Sequence, residues 1–356
     1  MNHQDIRNLS LDELCCFLKD SKEQSFRATQ IFKWIYQKGV TSFDQMKNLS
    51  QGLREKLAKQ FTLTGGNGLK SSPAKQISID GTTKYLFELA DGEKIETVLI
   101  PTKTRATVCV STQAGCKFGC RFCASGVGGF KRNLTTSEIL AQILTVQSQL
   151  PLTINHLSKI THIVFMGTGE PLDNYENVLK AVRIINLKQG LGIGARRITV
   201  STCGVIPGIE RFSREGLQVE LAISLHGFDN ASRNALMPVN RKYPFDKLMQ
   251  ACREYTKKTK RQITFEYILI KDLTSHAQAA QKLARSLKGV ICKMNLIPYN
   301  PVQEFDYEAP SRKEINAFKE SLIRRGVHVT LRSARGQDVS AACGQLRYQT
   351  LKGQHK

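Results

Sequence analysis

Thr107-Val-Cys-Val-Ser-Thr-Gln-Ala-Gly-Cys116-Lys-Phe-Gly-Cys120-Arg-Phe-Cys123 decides the fold of this chain: an apolar strand runs into a loop that carries three cysteines at C-x3-C-x2-C spacing. Three thiolates on one loop can wrap the corner of a metal cluster without help from elsewhere. Zinc knuckles favour paired C-x2-C units, and only one such pair occurs here. Iron–sulfur clusters usually take four cysteines, yet none follows in the next 79 residues. The spacing therefore predicts a [4Fe–4S] cluster held at three corners by Cys116, Cys120 and Cys123, with one iron open to a substrate group. A zinc site that recruits Cys109 or Cys203 as its fourth ligand is the alternative.

Downstream of the loop, apolar runs alternate with amphipathic segments. Strands are expected at 107–111, 162–166, 197–202, 219–225, 264–270 and 293–298. Helices fall between them, near 136–149, 175–188, 205–215, 244–258, 275–287 and 311–325. Six βα units in succession predict an α/β fold, a parallel sheet wound into a partial (β/α)6 barrel. The late run 328–332 adds an edge strand.

Upstream, the first 65 residues read as helical. Ser10 and Glu13 make a capping box ahead of Leu14, Phe17 and Leu18. A second helix spans 26–38 and is closed by Gly39; a third, over 44–61, is interrupted near Gly52. Gly65-Gly66-Asn67-Gly68 marks a linker. Three strand-like runs follow at 76–80, 83–89 and 94–100, with Asp80-Gly81 and Asp91-Gly92 as the turns between them. The expected organisation is a small N-terminal helical domain at 1–65 that contacts RNA, a linker and β-hairpin extension at 66–105, the barrel at 106–335 and a C-terminal tail at 336–356.

Composition narrows the function. The 356 residues carry 52 Lys and Arg against 30 Asp and Glu, a net charge of +22. The segment 240–356 holds 23 basic and ten acidic side chains, more than half of the excess. A field of this size favours a polyanionic partner, with nucleic acid the leading candidate. The polar start, Met1-Asn2-His3-Gln4, is not that of a signal peptide, and no apolar run approaches a membrane span. A cytoplasmic protein is expected, with no membrane partner and as a monomer.

Chemistry in a barrel of this kind gathers at the C-terminal ends of the strands. There stand Gly167-Thr168-Gly169-Glu170-Pro171-Leu172, Ser201-Thr202-Cys203-Gly204, Ser224-Leu225-His226-Gly227 and Asn295-Leu-Ile-Pro-Tyr-Asn300. Each offers small polar or amide groups, and Glu170 can accept hydrogen bonds from an ammonium. The tail adds Ala341-Ala342-Cys343-Gly344-Gln345-Leu346, a cysteine among small residues with arginines near. That setting favours an exposed, thiolate-forming side chain.

The cysteine loop resembles that of the radical S-adenosylmethionine (SAM) superfamily. Together with Ile95-Glu96-Thr97-Val98, Cys109-Val-Ser, the loop 167–172, Ser224-Leu225-His226 and Ala342-Cys343-Gly344-Gln345-Leu346, the chain resembles the RlmN/Cfr family of adenine-methylating RNA enzymes over nearly its whole length. The resemblance implies that SAM chelates the open iron and is cleaved by an electron to a 5′-deoxyadenosyl radical, with a donor such as flavodoxin supplying the electron. It implies two SAM molecules per turnover. Cys343 takes a methyl from the first, and the radical from the second removes hydrogen from that S-methyl group. The methylene then joins the adenine ring, Glu96 accepts the ring proton, and Cys109 closes a transient disulfide with Cys343 to free the RNA. Contacts to SAM are implied for Gly169, Glu170, Ser201, Ser224, Leu225, His226 and Asn300.

Thr168 departs from the family's usual Met at that place. Pro171 is similar to the adenine-C2 methylators rather than to their C8-methylating, antibiotic-resistance relatives, which commonly have Ala. The implied partners are 23S rRNA near the peptidyl-transferase centre and tRNA at the adenosine 3′ of the anticodon. C8 methylation, a non-catalytic RNA-binding protein with a metal knuckle, and a radical-SAM activase of a partner protein are the competing readings.

Overall fold

The computed structural model describes residues 4–63, 73–150 and 159–346; the Gly65–Gly68 linker motif and the last residues of the tail lie outside them. A short strand, β1 (Gln4–Asp5), is followed by α1 (Leu11–Asp20), α2 (Phe26–Tyr36), α3 (Gln51–Gln60) and β2 (Phe61–Thr62), which pairs parallel to β1. The Ser10 hydroxyl accepts the Glu13 N–H and the Glu13 carboxylate accepts the Ser10 N–H, so the expected capping box forms. The third helical span is interrupted as expected, at 46–50, between a 3-10 turn at Phe43–Gln45 and α3, which Ser50 caps; Gly52 itself lies in the first turn of α3.

The hairpin strands β3 (Ala74–Ile77), β4 (Thr83–Glu88) and β5 (Lys94–Pro101) lead into β6 (Ala106–Cys109). The cysteine loop is framed by β7 (Gln113–Gly115) and β8 (Phe130–Asn133), then α4 (Thr136–Ser148). The βα succession continues with β9 (His162–Phe165), α5 (Tyr175–Asn186), β10 (Ile198–Thr202), α6 (Ile206–Phe212), β11 (Glu220–Ser224), α7 (Asn230–Leu236), α8 (Phe245–Thr259), β12 (Ile263–Leu269), α9 (Ala277–Ser286), β13 (Cys292–Pro298), α10 (Arg312–Ile323) and β14 (Val329–Leu331).

One ten-stranded sheet runs β14-β13-β12-β11-β10-β9-β6-β5-β4-β3. From β6 to β14 every pairing is parallel, whereas β6–β5, β5–β4 and β4–β3 are antiparallel. The six expected strands and the edge strand are therefore present, and the hairpin extends the same sheet. Burial follows the topology. β12 is buried at all seven positions, as a central parallel strand covered on both faces must be, while β4 alternates buried and half-buried residues. The short α7 falls where a loop was expected after β11; Asp229 caps it, accepting the Ser232 N–H.

The N-terminal helices dock on the barrel's flank. Asn8 Oδ1 accepts the Ser137 N–H at 2.8 Å at the start of α4, and Lys180 of α5 bridges to Glu13 at 2.8 Å. Among the described residues no helix is long and apolar enough to cross a membrane.

Candidate active site at the strand ends

The loop that carries the cysteines is tied at its neck. Cys116 N–H donates to the Gly129 carbonyl at 3.0 Å. Gly115, at φ +73°, would place a Cβ 1.8 Å from that same oxygen, so only glycine closes the neck. Cys116, Cys120 and Cys123 then line one cavity, which strand ends complete with Gly169, Glu170, Ser201, Ser224 and His226.

Burial pushes the Cys116 thiol up to about 12 and raises Cys120 and Cys123 as well. Such thiols stay protonated unless a metal centre takes up their charge. Three soft sulfurs from one loop are the donor set of an iron–sulfur cluster. Among the described residues, no three His, Cys, Asp or Glu side chains converge as a single metal ion requires. Cys109 stands apart from this loop, in a second cavity. Cys203 does line the cluster cavity; its N–H donates to Glu170 Oε2 at 2.6 Å.

Glu170 is buried and holds the turn after β9 to the end of β10. Its carboxylate accepts N–H groups from Leu172 at 2.9 Å and from Cys203. Burial pushes its pKa up, and those two backbone donors pull it down. The neighbouring Gly169 has φ +104°, and a Cβ there would stand 2.6 Å from the Gln113 Cβ. Gln113 Oε1 in turn accepts the Glu170 N–H at 2.8 Å. Gly169→Ala is therefore expected to cost about 1–3 kcal/mol of stability through overpacking and to weaken SAM binding, read from a denaturant midpoint and from calorimetric titration. Wild-type values for both would show that the turn can yield.

His226 adopts φ +46°, a region few side chains occupy, and lies edge-on to Phe122 at 4.7 Å. Burial and the Arg233 charge hold it down to about 3, so it is neutral. Its Nδ1 accepts the Ile268 N–H at 3.0 Å, which leaves Nε2–H as the donor. Leu225 lines neither cavity. Its side chain is fully buried in the core, its N–H donates to the Glu266 carbonyl, and its own carbonyl accepts from Arg233 Nε.

The tail is docked rather than free, which corrects the exposed setting expected for Cys343: the residue is half-buried. Asp338 accepts the Ser78 hydroxyl at 2.6 Å and the Ile79 N–H at 3.1 Å from the β3–β4 turn. Gly336 N–H donates to Asp80. On the other side Asn300 Nδ2 donates to the Cys343 carbonyl at 3.1 Å, Ala124 N–H to the Gly344 carbonyl at 2.7 Å, and the Ser125 hydroxyl to the Leu346 carbonyl at 2.7 Å. Cys343 thus lines both the cluster cavity and the second cavity, where Cys109, Asn300, Met166 and Arg332 also lie.

Glu96, on β5, is buried with Lys84 Nζ 3.2 Å from its Oε1. It shares one pleat face with Val98 and Ile100, which line the Cys109 cavity. Glu96 also lines a third cavity with Lys94, Lys131 and Thr168, which shares Ser125 with the cluster cavity. The structure therefore gathers Gly169, Glu170, Ser201, Ser224 and His226 around the cysteine loop, puts Asn300 and Cys109 beside the tail, and sets Glu96 one compartment away. Arg332 and Arg233 escaped the reading of the sequence. Arg332 follows an edge strand, and its position at a strand end was the available signal; Arg233 carried none.

A partial barrel with a three-cysteine loop after its first parallel strand, facing a glycine–glutamate turn, defines a radical-SAM enzyme. Residues 110–283 match the model of the Radical SAM superfamily, and residues 4–63 match that of the ribosomal RNA large subunit methyltransferase N-terminal domain. The chain is 45% identical over 345 residues to a probable dual-specificity RNA methyltransferase RlmN of Clostridium novyi (strain NT), covering 97% of this chain and 98% of that one. It is 48% identical over 347 residues to the corresponding protein of Geobacillus kaustophilus (strain HTA426), covering 98% and 93%. A solved radical SAM methyltransferase from Sphaerobacter thermophilus superposes with a TM-score of 0.89 at 43% identity, over 97% of this chain and 99% of that chain. The chain belongs to the RlmN family of dual-specificity RNA methyltransferases. It is a radical-SAM RNA methyltransferase, and its cofactors are a [4Fe–4S] cluster and SAM.

Proposed function

We propose that this enzyme methylates C2 of adenine in 23S rRNA near the peptidyl-transferase centre and in tRNA at the adenosine 3′ of the anticodon, with Cys343 as the methyl carrier. The observation that carries this reading is the position of Cys343 on the wall shared by the cluster cavity and the cavity of Cys109. A carrier must meet the methyl donor on one side and a resolving thiol on the other, and few other places in the fold touch both. Cys116, Cys120 and Cys123 hold the cluster; Glu170, Ser201, Ser224 and the Nε2–H of His226 orient SAM. When bound, cluster and SAM supply a methyl group and a radical able to remove hydrogen from carbon.

The residues of the chain do the rest. Cys343 bears the methyl as a thioether and becomes bonded through it to the ring carbon, because an electron-poor adenine C2 cannot itself attack a methyl donor. Glu96 takes the ring proton once the base spans the gap between its compartment and the tail. Cys109 then attacks the Cys343 sulfur. A loop or single-stranded adenine suits this site, since extruding it costs less unstacking. Pro171 after Glu170 supports C2 over C8.

The test is anaerobic turnover with methyl-labelled SAM on rRNA and tRNA fragments, followed by nucleoside analysis. Label on Cys343 and in 2-methyladenosine from both RNAs is the expected outcome. Label at C8, or in the nucleoside with none passing through Cys343, refutes it.

A further inference from the structure

Arg332 is a cation placed where the thiol chemistry has to happen. It follows β14 directly, and its N–H is fixed to the Leu296 carbonyl at 2.9 Å. Its guanidinium reaches the wall between the two cavities and lines both, as do Cys343 and Met166; its Nη1 lies 4.0 Å from the Met166 sulfur. We infer that Arg332 favours the thiolate form of Cys109, the form that resolves the bond between Cys343 and the RNA, an inference that rests on the methyl-carrier reading above.

The surroundings of Cys109 explain why it needs such a partner. Val98 of β5, Val164 and Met166 at the end of β9, and Ala341 and Leu346 of the tail enclose it in apolar atoms. Burial pushes the thiol up to about 12, and the Arg332 charge acts in the opposite direction. From the tail, Cys343 faces it, and an anion there raises it further. Arg335 also lines the second cavity, but its guanidinium is turned to Asp80, 3.8 Å away. Glu266 of β12 faces Arg332, with Lys293 of β13 nearby. Burial raises that carboxyl, and Asn295 Nδ2 donates to it at 2.8 Å. Cys343 most strongly, then Glu266 and Cys109, raise the Arg332 guanidinium, the reciprocal sign of the same attraction.

Loss of the ring proton to Glu96 and of the one electron that began the turnover leaves a closed-shell adduct, from which the step balances without an outside oxidant. The Cys109 thiolate attacks the Cys343 sulfur, and an S–S bond forms. The bond from Cys343 sulfur to the methylene breaks, leaving its electron pair on the carbon attached to adenine. That carbon takes one proton and becomes the methyl group; the two-electron oxidation of the sulfur pair is matched by the two-electron reduction of carbon. Arg332 stabilises the charge on Cys109 before attack.

Full-length, cluster-loaded Arg332→Met and Arg332→Lys enzymes test this in two arms. In the Cys343→Ala background, alkylation of Cys109 by iodoacetamide is followed by peptide mass spectrometry as a function of pH. With Met, the rate at neutral pH is expected to fall about tenfold, and with Lys to stay near wild type. In the second arm, with Cys343 present, the covalent protein–RNA adduct, once formed, is expected to decay about tenfold more slowly in Arg332→Met than in the wild type. Unchanged alkylation and decay in Arg332→Met, or a Lys variant no better than Met, overturns the inference. If wild-type enzyme forms no adduct, the methyl-carrier reading fails, while the alkylation arm still decides the role of Arg332.

Discussion

Cys343→Ala is expected to abolish methyl transfer, by on the order of 10⁴-fold or more, the scale on which removing a covalent nucleophile acts. SAM affinity is expected to change little. The cavity proposed to orient the cofactor is lined by Glu170, Ser201, Ser224 and His226 on the strand ends, and the tail contributes to its wall through Cys343 and Gly344. Trimming one sulfur leaves the Asn300, Ala124 and Ser125 bonds to the tail backbone in place. Measuring product by mass spectrometry alongside calorimetric SAM binding separates the two effects. A Cys343→Ala enzyme that still methylates RNA removes the carrier from the reaction.

Loss of Cys109 has the opposite signature. Cys109→Ala is expected to permit formation of the protein–RNA adduct and to slow its release by on the order of 10³-fold, so that RNA stays on the enzyme through denaturing electrophoresis. The residue is 6% exposed and shares its cavity with the tail cysteine, so bulk thiols reach the adduct poorly in its place. Release in the wild type should quicken as pH rises, because Cys109 is held near 12 and only its deprotonated form attacks. A pH-independent release rate, or normal turnover without Cys109, contradicts this assignment.

The legible parts of the molecule were those set by neighbours in the chain. The Ser10–Glu13 capping box, the turns at Gly81 and Gly92, and the succession of βα units all follow from contacts within a few residues, and each forms. The cysteine loop belongs with them, since one glycine and one hairpin ribbon close it. The break near Gly52 falls just ahead of it, at 46–50, and the glycine itself is tolerated in the first turn of α3. The motif Ser224-Leu225-His226 marks a strand end without saying which way each side chain points; that of Leu225 points into the core.

The amino-acid sequence alone determined the parallel barrel, the three-sulfur loop and the strand ends on which SAM chemistry is built, because periodicity and ligand spacing are local properties. Only the tertiary structure decided where the tail lies. Ser78 and Asp338 meet across 260 residues, and Asn300 and Cys343 across 43. Such bonds depend on how the sheet brings the hairpin turn and the end of β13 to one rim. That convergence places Cys343 between two cavities, sets Arg332 in the wall of the cavity that holds Cys109 and leaves Glu96 one compartment away.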